Sequence, residues 1–481
     1  MKIVLFIPPS KFSKNVARDL VYGCWCKGKR IAGVQFPPLS LISVGTVLKN
    51  DGFEVKLLDA AAEGLALEEV ITRIKGFDAL VMLTSTMTLN EDAQILNALK
   101  KAQPDLLTIV FGGHVTAEPK TTLERPGIDI AVKMEGENVI RDLARAWRDE
   151  QDWRAVKGIA YKEDNEYHEN ENYPLIDNLD ELPIPDRSLL PLDTHYYNPI
   201  VKRLPYTTMF TTRGCPGLCT FCASPTFYGR RIRSMSAERV IAEIREVARL
   251  GYKEIFFRDE IFTVFKERVM KICRTIIDEK IDITWIASAR INSVDREMLG
   301  LMKKAGCHMI RLGVESGVQE LLNNVKKGIT TGQTEQVFAW AHEVGMDTHA
   351  HLMIGLPGET KETIEETILF VQKIDPTVVT FGIMTPYPGT PFFNELREHH
   401  PELGDGTCMD LSKLHTHAYY NETFTALSAE ELQKYIRKVY KKFYLRPGYI
   451  FKWLKRVRSL DELKRLTLAG TNVFGFIWGK D

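Results

Sequence analysis

The sequence predicts an α/β protein in which two successive regions of alternating strands and helices precede a mostly helical C-terminal region. Three observations support this prediction. The chain has 481 residues, which is too long for one ordinary domain. Short apolar runs that end in small or polar residues alternate with segments whose apolar residues follow helical spacing. Alternation of this kind gives parallel sheets that are covered by helices on both faces.

The first region runs from residue 1 to residue 149 and contains five predicted strands. They lie in the segments KIVLFIP, EVKLLDA, ALVMLTST, TIVFGG and DIAVKMEG. Predicted helices between them include LSLISVGTVLKNDG, LEEVITRIKG and EDAQILNALKKAQ. Ligands of an open parallel sheet bind beyond the carboxyl ends of its strands. The places to search for a site are therefore Pro8–Ser10, Asp59, Thr84–Thr88, Gly112–His114 and Glu135–Glu137.

Residues 150–203 are predicted to form a linker, because this stretch is polar and its prolines forbid a regular helix or a central strand. A second alternating region follows over residues 204–393. Its six predicted strands lie in TTMFTTRGC, EIFFRD, TWIASAR, MIRLGVES, DTHAHLMIG and VVTFGIMTP. Six consecutive strand–helix units favour a partly closed barrel whose chemistry lies at the C-terminal mouth. Residues 394–481 form the helical C-terminal region.

The composition is that of an ordinary soluble protein, with 44% hydrophobic and 26% charged residues. Lys and Arg number 63, as do Asp and Glu, so the net charge gives no support for a nucleic-acid partner. No apolar run reaches the roughly 18 residues needed to span a membrane, and the N-terminus lacks a signal-peptide pattern. Eight cysteines are too few for a disulfide scaffold, so we expect a cytoplasmic protein that uses cysteine for metal binding or catalysis.

Three closely spaced cysteines form the strongest motif in the chain. In the segment RGCPGLCTFCASP, Cys215, Cys219 and Cys222 follow directly after a predicted strand. Structural zinc sites normally have two cysteine pairs, or cysteines followed by spaced histidines, so zinc is the weaker alternative. Three thiolates bind three corners of a [4Fe–4S] cube and leave the fourth iron open to a small molecule. Chance occurrence of cysteines in a loop explains this spacing poorly.

The spacing Cys-x3-Cys-x2-Cys, with the aromatic Phe221 before the last cysteine, resembles the signature of radical S-adenosylmethionine (SAM) enzymes. The resemblance implies a partial (β/α)6 barrel of the TIM type, with SAM bound to the open iron. One electron from the cluster then cleaves SAM to a 5′-deoxyadenosyl radical, which abstracts hydrogen from an unactivated carbon. The implied electron donor is reduced ferredoxin or flavodoxin. The implied SAM-binding groups are Asp259, Glu260, Ser288, Arg290 and Glu315. Each acidic or arginine position among them has the alternative of a structural ion pair.

A Rossmann-like region in front of such a barrel resembles the cobalamin-binding group of this family. Small residues at strand ends suit a large flat ligand. The residues expected at cobalamin are Ser85, Thr86, Met87, Gly112, Gly113, Glu135 and Gly136. The motif Asp-x-His-x-x-Gly, whose histidine ligates cobalt, is absent, so His114 is not assigned to cobalt. No Gly-x-Gly-x-x-Gly turn follows the first strand, which disfavours a nicotinamide. An empty domain that serves as a partner or lid is the other alternative.

Three further features are open to either a functional or a packing explanation. Cys24 and Cys26 lie in a basic loop after the first strand and either face the ligand or are incidental. His349 and His351 are two residues apart on one predicted strand, so their side chains point to the same side. They serve either as an acid or base near the substrate or as packing groups. The basic aromatic segment LQKYIRKVYKKFYLRPGYIFKWLKRVR suits a membrane surface or an anionic apolar substrate. We favour a helix that packs its aromatic residues on the barrel.

Together these features predict a cobalamin-dependent radical SAM enzyme that acts on a small or lipid-like molecule. The predicted reaction is methyl transfer from methylcobalamin to an unactivated carbon, with a second SAM remethylating the cobalt. An oxidative cyclase of the kind used in anaerobic chlorophyll synthesis is the main alternative. A tRNA methylthiotransferase ranks lower, because the N-terminal region lacks a second set of three cysteines. A non-enzymatic iron–sulfur protein would not cleave SAM.

Overall fold

A computed structural model describes residues 1–9, 36–191, 196, 198–408, 417–456 and 460–478 of the chain. The described residues contain one sheet of seven strands, one of six strands and a short two-stranded hairpin. Helices lie along the chain between the strands of both large sheets, and further helices follow the second sheet. The α/β class, the order of the regions and the mostly helical C-terminal region are as the sequence predicts.

The first sheet is built from the N-terminal region and extends beyond it. Its strands are β1 (Lys2–Ile7), β2 (Glu54–Asp59), β3 (Ala79–Leu83), β4 (Leu107–Phe111), β5 (Ile130–Val132), β6 (Ile159–Glu163) and β7 (Glu166–Glu169). Their spatial order is β2-β1-β3-β4-β5-β6-β7. The first five strands are parallel and coincide with the five predicted segments, except that β4 begins one residue earlier than predicted, at Leu107. The last two are antiparallel and come from the predicted linker, so the sheet continues past residue 149.

Helices cover both faces of this first sheet. They are α1 (Leu39–Asn50), α2 (Ala60–Glu63), α3 (Leu67–Arg73), α4 (Leu89–Ala102), α5 (Gly113–Ala117), α6 (Pro119–Leu123) and α7 (Gly136–Arg148). Side chains of a strand alternate between the two faces. Leu5 and Val81 accordingly belong to one apolar core, whereas Phe6 and Met82 belong to the other.

The second sheet is a partial barrel of six parallel strands. The strands of this region are β8 (Tyr206–Met209), β9 (Thr212–Arg213), β10 (Arg233–Ser234), β11 (Glu254–Phe257), β12 (Thr284–Ala289), β13 (Cys307–Glu315), β14 (Asp347–Ile354) and β15 (Val378–Ile383). The six parallel strands have the order β15-β14-β13-β12-β11-β8, and β9 and β10 form a separate hairpin. Each of the six overlaps a predicted segment, although β8 begins one residue and β13 two residues before the predicted start. Since β15 and β8 are not paired with each other, the sheet has two edges.

Helices alternate with the strands of the second sheet. They are α8 (Ser224–Tyr228), α9 (Ala237–Arg249), α10 (Lys266–Asp278), α11 (Arg296–Lys304), α12 (Gln319–Asn324), α13 (Thr331–Glu343) and α14 (Lys361–Ile374). Helix α9 lies in the amphipathic segment SAERVIAEIREVARLG, and its N-cap Ser236 accepts a hydrogen bond from the amide of Arg239. Trp285 of β12, the largest fully buried side chain among the described residues, belongs to the core between sheet and helices.

The C-terminal region consists of α15 (Pro391–His399), α16 (Ala429–Tyr444), α17 (Pro447–Arg456) and α18 (Leu460–Trp478). Helix α16 closes one edge of the barrel. The hydroxyl of Tyr440 donates to the carbonyl of Phe381 (3.0 Å) and accepts from its amide (3.2 Å). The hydroxyl of Tyr444 does the same at Val379 (2.6 and 3.1 Å). The basic aromatic segment therefore packs tyrosines on the barrel. No helix of the described residues is long and apolar enough to cross a membrane.

Candidate functional site

A cavity of about 490 Å³ lies against the second sheet and is the candidate site. Residues from β11 to β15 and from the loop that carries the three cysteines line it. Helices α16 and α18 also reach it, through Tyr440, Tyr444 and Val473. Phe36 is the only member of the first region among the described residues that line the cavity.

The three predicted cluster cysteines, Cys215, Cys219 and Cys222, all line this cavity. The first two are buried and the third is half-buried. Gly214 precedes them with a φ of +90°, and a Cβ at this position would lie 2.3 Å from the carbonyl oxygen of Arg231. Only glycine fits this turn, which brings the loop back beside the β9–β10 hairpin. No three His, Cys, Asp or Glu side chains of the described residues are grouped tightly enough to hold a single metal ion.

Two donors approach the sulfurs of this loop. The amide of Gly217 lies 3.4 Å from Cys215 Sγ, and Arg290 Nη1 lies 3.7 Å from Cys219 Sγ. Donors directed at sulfur stabilise a thiolate. The aromatic residue of the motif, Phe221, is half-buried and lines the cavity.

A buried ion-pair network ties the cysteine loop to the first region. Arg213, two residues before Cys215, donates through Nη1 to Glu135 (3.0 Å) and through Nη2 to Glu137 (2.5 Å). Arg233 of the same hairpin also donates to Glu135 (2.9 Å). Burial alone would raise the pKa of Glu135, but Arg213 and Arg233 hold it below its usual range. Arg213 was not predicted as a site residue, since its only local signal is its position beside the motif.

The acidic pair that follows β11 faces the cavity, since both Asp259 and Glu260 line it. Oδ1 of Asp259 accepts from the backbone and hydroxyl groups of Thr211 and Thr212, including the Thr211 amide at 2.7 Å. Its buried Oδ2 has no hydrogen-bond partner among the described residues. Glu260 accepts from Ser224 at 3.2 Å, and burial raises its pKa to about 7.

Strand β12 brings two predicted residues to the cavity. Ser288 Oγ accepts a hydrogen bond from Arg311 of β13 at 3.3 Å. Arg290 follows the strand, and its Nη2 donates to the carbonyl oxygen of Lys327. Burial lowers the pKa of Arg290, but the sulfurs of Cys219 and Cys215 more than offset this effect and raise it overall. The arginine is therefore cationic.

Glu315 reaches the cavity because of an irregularity at the end of β13. The pairing register with β14 shifts between Gly313 and Glu315, as at a β-bulge, and Glu315 has a φ of +64°. This left-handed conformation is uncommon for a residue other than glycine. The carboxylate is 2.5 Å from Lys327 Nζ, in a buried ion pair. Lys327 lines the cavity and was not predicted, since nothing in its local sequence marks it.

Two histidines of β14 face the cavity together. The rings of His349 and His351 are stacked at 4.1 Å, as their alternation on the strand predicts. Nε2 of His349 lies 2.5 Å from the Thr380 hydroxyl. Burial, with Arg311 nearby, holds the pKa of both imidazoles well below the usual value. Both rings are therefore neutral at physiological pH.

The residues predicted to contact cobalamin lie at the carboxyl ends of β3, β4 and β5, outside the lining of the cavity. Ser85 and Met87 are half-buried, whereas Thr86 is buried and its hydroxyl lies 3.0 Å from His114 Nδ1. Burial lowers the pKa of His114 to about 4. A Cβ on Gly112, whose φ is +137°, would lie 2.3 Å from the Thr84 carbonyl oxygen. The close approach of these two backbone segments therefore requires glycine here, whether or not a ligand binds.

The remaining predicted residues of this group serve contacts within the protein. Gly113 begins α5, which packs against α8. Glu135 takes part in the buried network with Arg213, and a Cβ on Gly136 would lie 3.1 Å from the Phe111 ring. Cys24 and Cys26 lie outside the described residues. Burial raises the pKa of Cys273 to about 12, as expected of an inert thiol.

The groups present fit the three expected cofactors. Three thiols on one cavity wall, with donors at two of them, suit a cluster held at three corners. The unpaired Oδ2 of Asp259, buried at the cavity, suits a ligand donor such as the amino group of SAM. Ser85 and Met87 are half-buried and lie just beyond the carboxyl end of β3, where an open parallel sheet binds its ligand. This position suits a cobalamin site.

Comparison with known proteins finds a family match for part of each of the two α/β regions. Residues 209–371 match the Radical SAM superfamily, and residues 31–144 match the B12 binding domain. An uncharacterized methyltransferase of Pyrococcus horikoshii is 34% identical over 457 residues, which are 94% of each chain. The anaerobic magnesium-protoporphyrin IX monomethyl ester cyclase of Cereibacter sphaeroides is 27% identical, with 94% of this chain and 75% of the relative covered.

Two further similarities extend this comparison. The hopanoid C-3 methylase of Methylococcus capsulatus is 27% identical, with 74% of this chain and 68% of the relative covered. The fold matches that of the radical SAM methyltransferase TsrM of Kitasatospora setae, solved with cobalamin and a [4Fe–4S] cluster, with a TM-score of 0.68 and 20% identity. The match covers 83% of this chain and 78% of TsrM. The chain belongs to the cobalamin-dependent radical SAM enzymes, the group of the methyltransferases and anaerobic cyclases, whose cofactors are a [4Fe–4S] cluster, SAM and cobalamin.

Proposed function

We propose that this chain is a C-methyltransferase that methylates an unactivated carbon of a largely apolar small molecule. The observation that carries the proposal is the cavity, where the three cysteines and two strand-end carboxylates adjoin aromatic and aliphatic side chains. Similarity over 94% of the chain to a methyltransferase supports methyl transfer as the outcome.

Each part of the site has a role in this proposal. Cys215, Cys219 and Cys222 hold three irons of the cluster, while Asp259 and Glu260 receive the amino group and ribose of SAM. The strand-end residues of the first sheet named above would hold cobalamin. When bound, the cluster supplies the electron that splits SAM into methionine and a 5′-deoxyadenosyl radical, and cobalamin supplies the methyl group. The cavity wall excludes water from the carbon radical until it is methylated.

The overall reaction balances with two SAM molecules and two electrons. One SAM yields methionine and 5′-deoxyadenosine, which keeps the hydrogen atom taken from the substrate. The other yields S-adenosylhomocysteine and provides the methyl group that replaces this hydrogen. Reduced ferredoxin or flavodoxin supplies the two electrons in our proposal.

The walls of the cavity favour an apolar substrate. The apolar side chains that line the cavity include Phe36, Phe256, Val378, Val379, Tyr444 and Val473. A cavity of this volume accommodates a small molecule or one end of a longer one. The neutral His349 and His351 offer hydrogen bonds without a charge, so they orient a hydroxyl or carbonyl group of the substrate. Similarity to a hopanoid methylase supports a lipid-like substrate.

The experiment uses SAM that carries an isotopic label in its methyl group. Anaerobically reconstituted enzyme, with cobalamin and a reductant, is incubated with a lipid extract, and products are analysed by mass spectrometry. We expect a labelled apolar product together with 5′-deoxyadenosine and S-adenosylhomocysteine in equal amounts. Formation of 5′-deoxyadenosine without any labelled product would overturn methyl transfer.

Oxidative cyclisation is the second candidate, and the similarity to the anaerobic cyclase favours it. That outcome would leave the methyl label in SAM-derived compounds and change the substrate without adding carbon. The same experiment therefore separates the two reactions, since only methyl transfer requires S-adenosylhomocysteine.

We further propose that α17 and α18 contact an anionic membrane surface, from which the substrate is taken. Ile450, Leu468, Phe474 and Trp478 are 46–52% exposed on these helices. Between Leu432 and Leu460 the chain has ten basic residues and no acidic one, namely Lys434, Arg437, Lys438, Lys441, Lys442, Arg446, Lys452, Lys455, Arg456 and Arg458. Exposed apolar side chains that lie within or follow a basic segment of sequence suit an interface with anionic lipid.

Vesicle sedimentation tests this contact. We expect the protein to sediment with phosphatidylglycerol vesicles but not with phosphatidylcholine vesicles, and to be released by high salt. The double variant Phe474→Ser/Trp478→Ser loses binding. Leu369→Ser, which removes an exposed apolar side chain on α14, is the matched control and retains binding. Failure of the unmodified protein to sediment with anionic vesicles would refute the proposed contact.

A further inference from the structure

Arg290 lies between the cysteine loop and the backbone of Lys327, and contacts both. Its Nη1 lies 3.7 Å from Cys219 Sγ, and its Nη2 donates to the backbone carbonyl of Lys327. Two different nitrogens of one planar guanidinium are thus engaged at once, which fixes its orientation. The side chain of Lys327 is itself held by Glu315.

The surroundings leave the guanidinium little freedom. A Cβ at Gly217, in the cysteine loop, would lie 2.6 Å from Arg290 Nη1 and 3.3 Å from Cys215 Sγ. The backbone amide of Arg290 donates to Ser293 Oγ at 3.1 Å, which anchors the turn after β12. The side chain is half-buried, so water screens its charge less than at the surface.

We infer that Arg290 is a positioning residue that sets the reduction potential of the cluster, rather than a ligand of SAM alone. The inference rests on the proposed ligation of the cluster by Cys219. Reduction adds one electron to the cluster and makes it more negative. A fixed cation at a ligand sulfur stabilises that reduced form, because hydrogen bonds and charge near the sulfurs raise the potential of such clusters. The electron itself comes from the external donor.

The test is a redox titration of the reconstituted cluster, followed by electron paramagnetic resonance, in the absence of SAM and substrate. We expect Arg290→Gln to shift the midpoint potential to more negative values and Arg290→Lys, which keeps the charge, to shift it less. Gly217→Ala provides a second variant, since its methyl group displaces the guanidinium without removing it. It should also shift the potential to more negative values.

Arg230→Gln is the matched control. Arg230 donates to the carbonyl of Gly217 at 2.7 Å in the same loop, but its side chain is exposed. We expect its loss to leave the potential nearly unchanged. The inference is overturned if Arg290→Gln retains the wild-type potential at equal iron and sulfide content, or if Arg230→Gln shifts it as much. If the unmodified protein assembles no cluster, it is the proposed function that fails.

Discussion

Arg213 of β9, which precedes the cysteine loop, and Glu137 of the first region form a buried ion pair, with Nη2 and Oε1 2.5 Å apart. Glu135, which also accepts from Arg233, completes the arrangement. The carboxylates belong to the region that matches a B12 binding domain, and the arginines flank the loop of the radical SAM region. The network therefore fixes the cysteine loop relative to the start of α7.

Loss of Arg213 should destabilise the protein strongly. Arg213→Met leaves two buried carboxylates with fewer partners, and removal of one member of a buried ion pair costs about 3–5 kcal/mol. The measurement is the free energy of unfolding in urea. The control is Arg245→Gln, which breaks an ion pair with Glu279 whose side chains are 54% and 39% exposed and costs about 0–1 kcal/mol. Equal effects of the two variants would contradict the prediction.

Single substitution of each cluster cysteine should abolish reductive cleavage of SAM. Cys215→Ala, Cys219→Ala and Cys222→Ala each remove one of only three protein ligands. Bound iron after anaerobic reconstitution and 5′-deoxyadenosine after reduction are the two readouts. Cys408→Ala removes an exposed thiol and should change neither quantity. Full cleavage activity in any of the three loop variants would argue against ligation by that cysteine.

Glu359 should make stability pH-dependent. This buried residue follows β14 and accepts from the amides of Gly355 and Leu356, and burial raises its pKa from 4.5 to about 8. The native state therefore retains a proton that the unfolded chain releases at lower pH. The free energy of unfolding should fall as pH rises from about 4.5 to about 8.

The variant Glu359→Gln isolates this contribution. Its amide carries no titratable proton, and its oxygen still accepts from the two backbone amides. We expect the fall in stability between these pH values to be smaller in the variant than in the unmodified protein. Parallel stability curves for the two proteins would show that Glu359 is already ionised in the native state.

Removal of the Tyr440 or Tyr444 hydroxyl should loosen the last strand of the barrel. The Phe variants leave a backbone amide and carbonyl of β15 without their partner, at a cost of about 1–3 kcal/mol each. Hydrogen exchange at the amides of Phe381 and Val379 should become faster. Tyr167→Phe, which removes a hydroxyl from β7, should leave exchange in β15 unchanged. Unaltered exchange in both α16 variants would contradict the prediction.

The strands of both sheets were predictable because their apolar runs and their stops are local signals. The six parallel strands of the barrel and the five parallel strands of the first sheet all overlap predicted segments, and the starts of β4, β8 and β13 differ by only one or two residues. Strands β6 and β7 were not predicted. Their sequence IAYKEDNEYHE is mostly polar, and only pairing with the edge of an existing sheet makes them strands.

The candidate site was predictable in its motif and less so in its surroundings. The cysteine spacing and the strand-end position of Asp259 and Glu260 can be recognised from the local sequence alone. The partners of Arg213 and Lys327 do not, because each ion pair joins residues that only the fold brings together. For Glu135, in contrast, the local sequence indicates a ligand contact and the fold supplies partners from within the protein. Its strand-end position suggests a ligand, yet its carboxylate accepts from two buried arginines.

The tyrosines of α16 and α17 also protect the protein from other chains. An edge strand exposes a row of amides and carbonyls that can template a foreign strand and start aggregation. Along β15 those groups are occupied at every second residue, by Tyr440 at Phe381 and by Tyr444 at Val379, and Tyr449 donates to Thr377 just before the strand. A tyrosine side chain that occupies these groups offers no backbone amides and carbonyls to a further strand. The sheet therefore ends at β15.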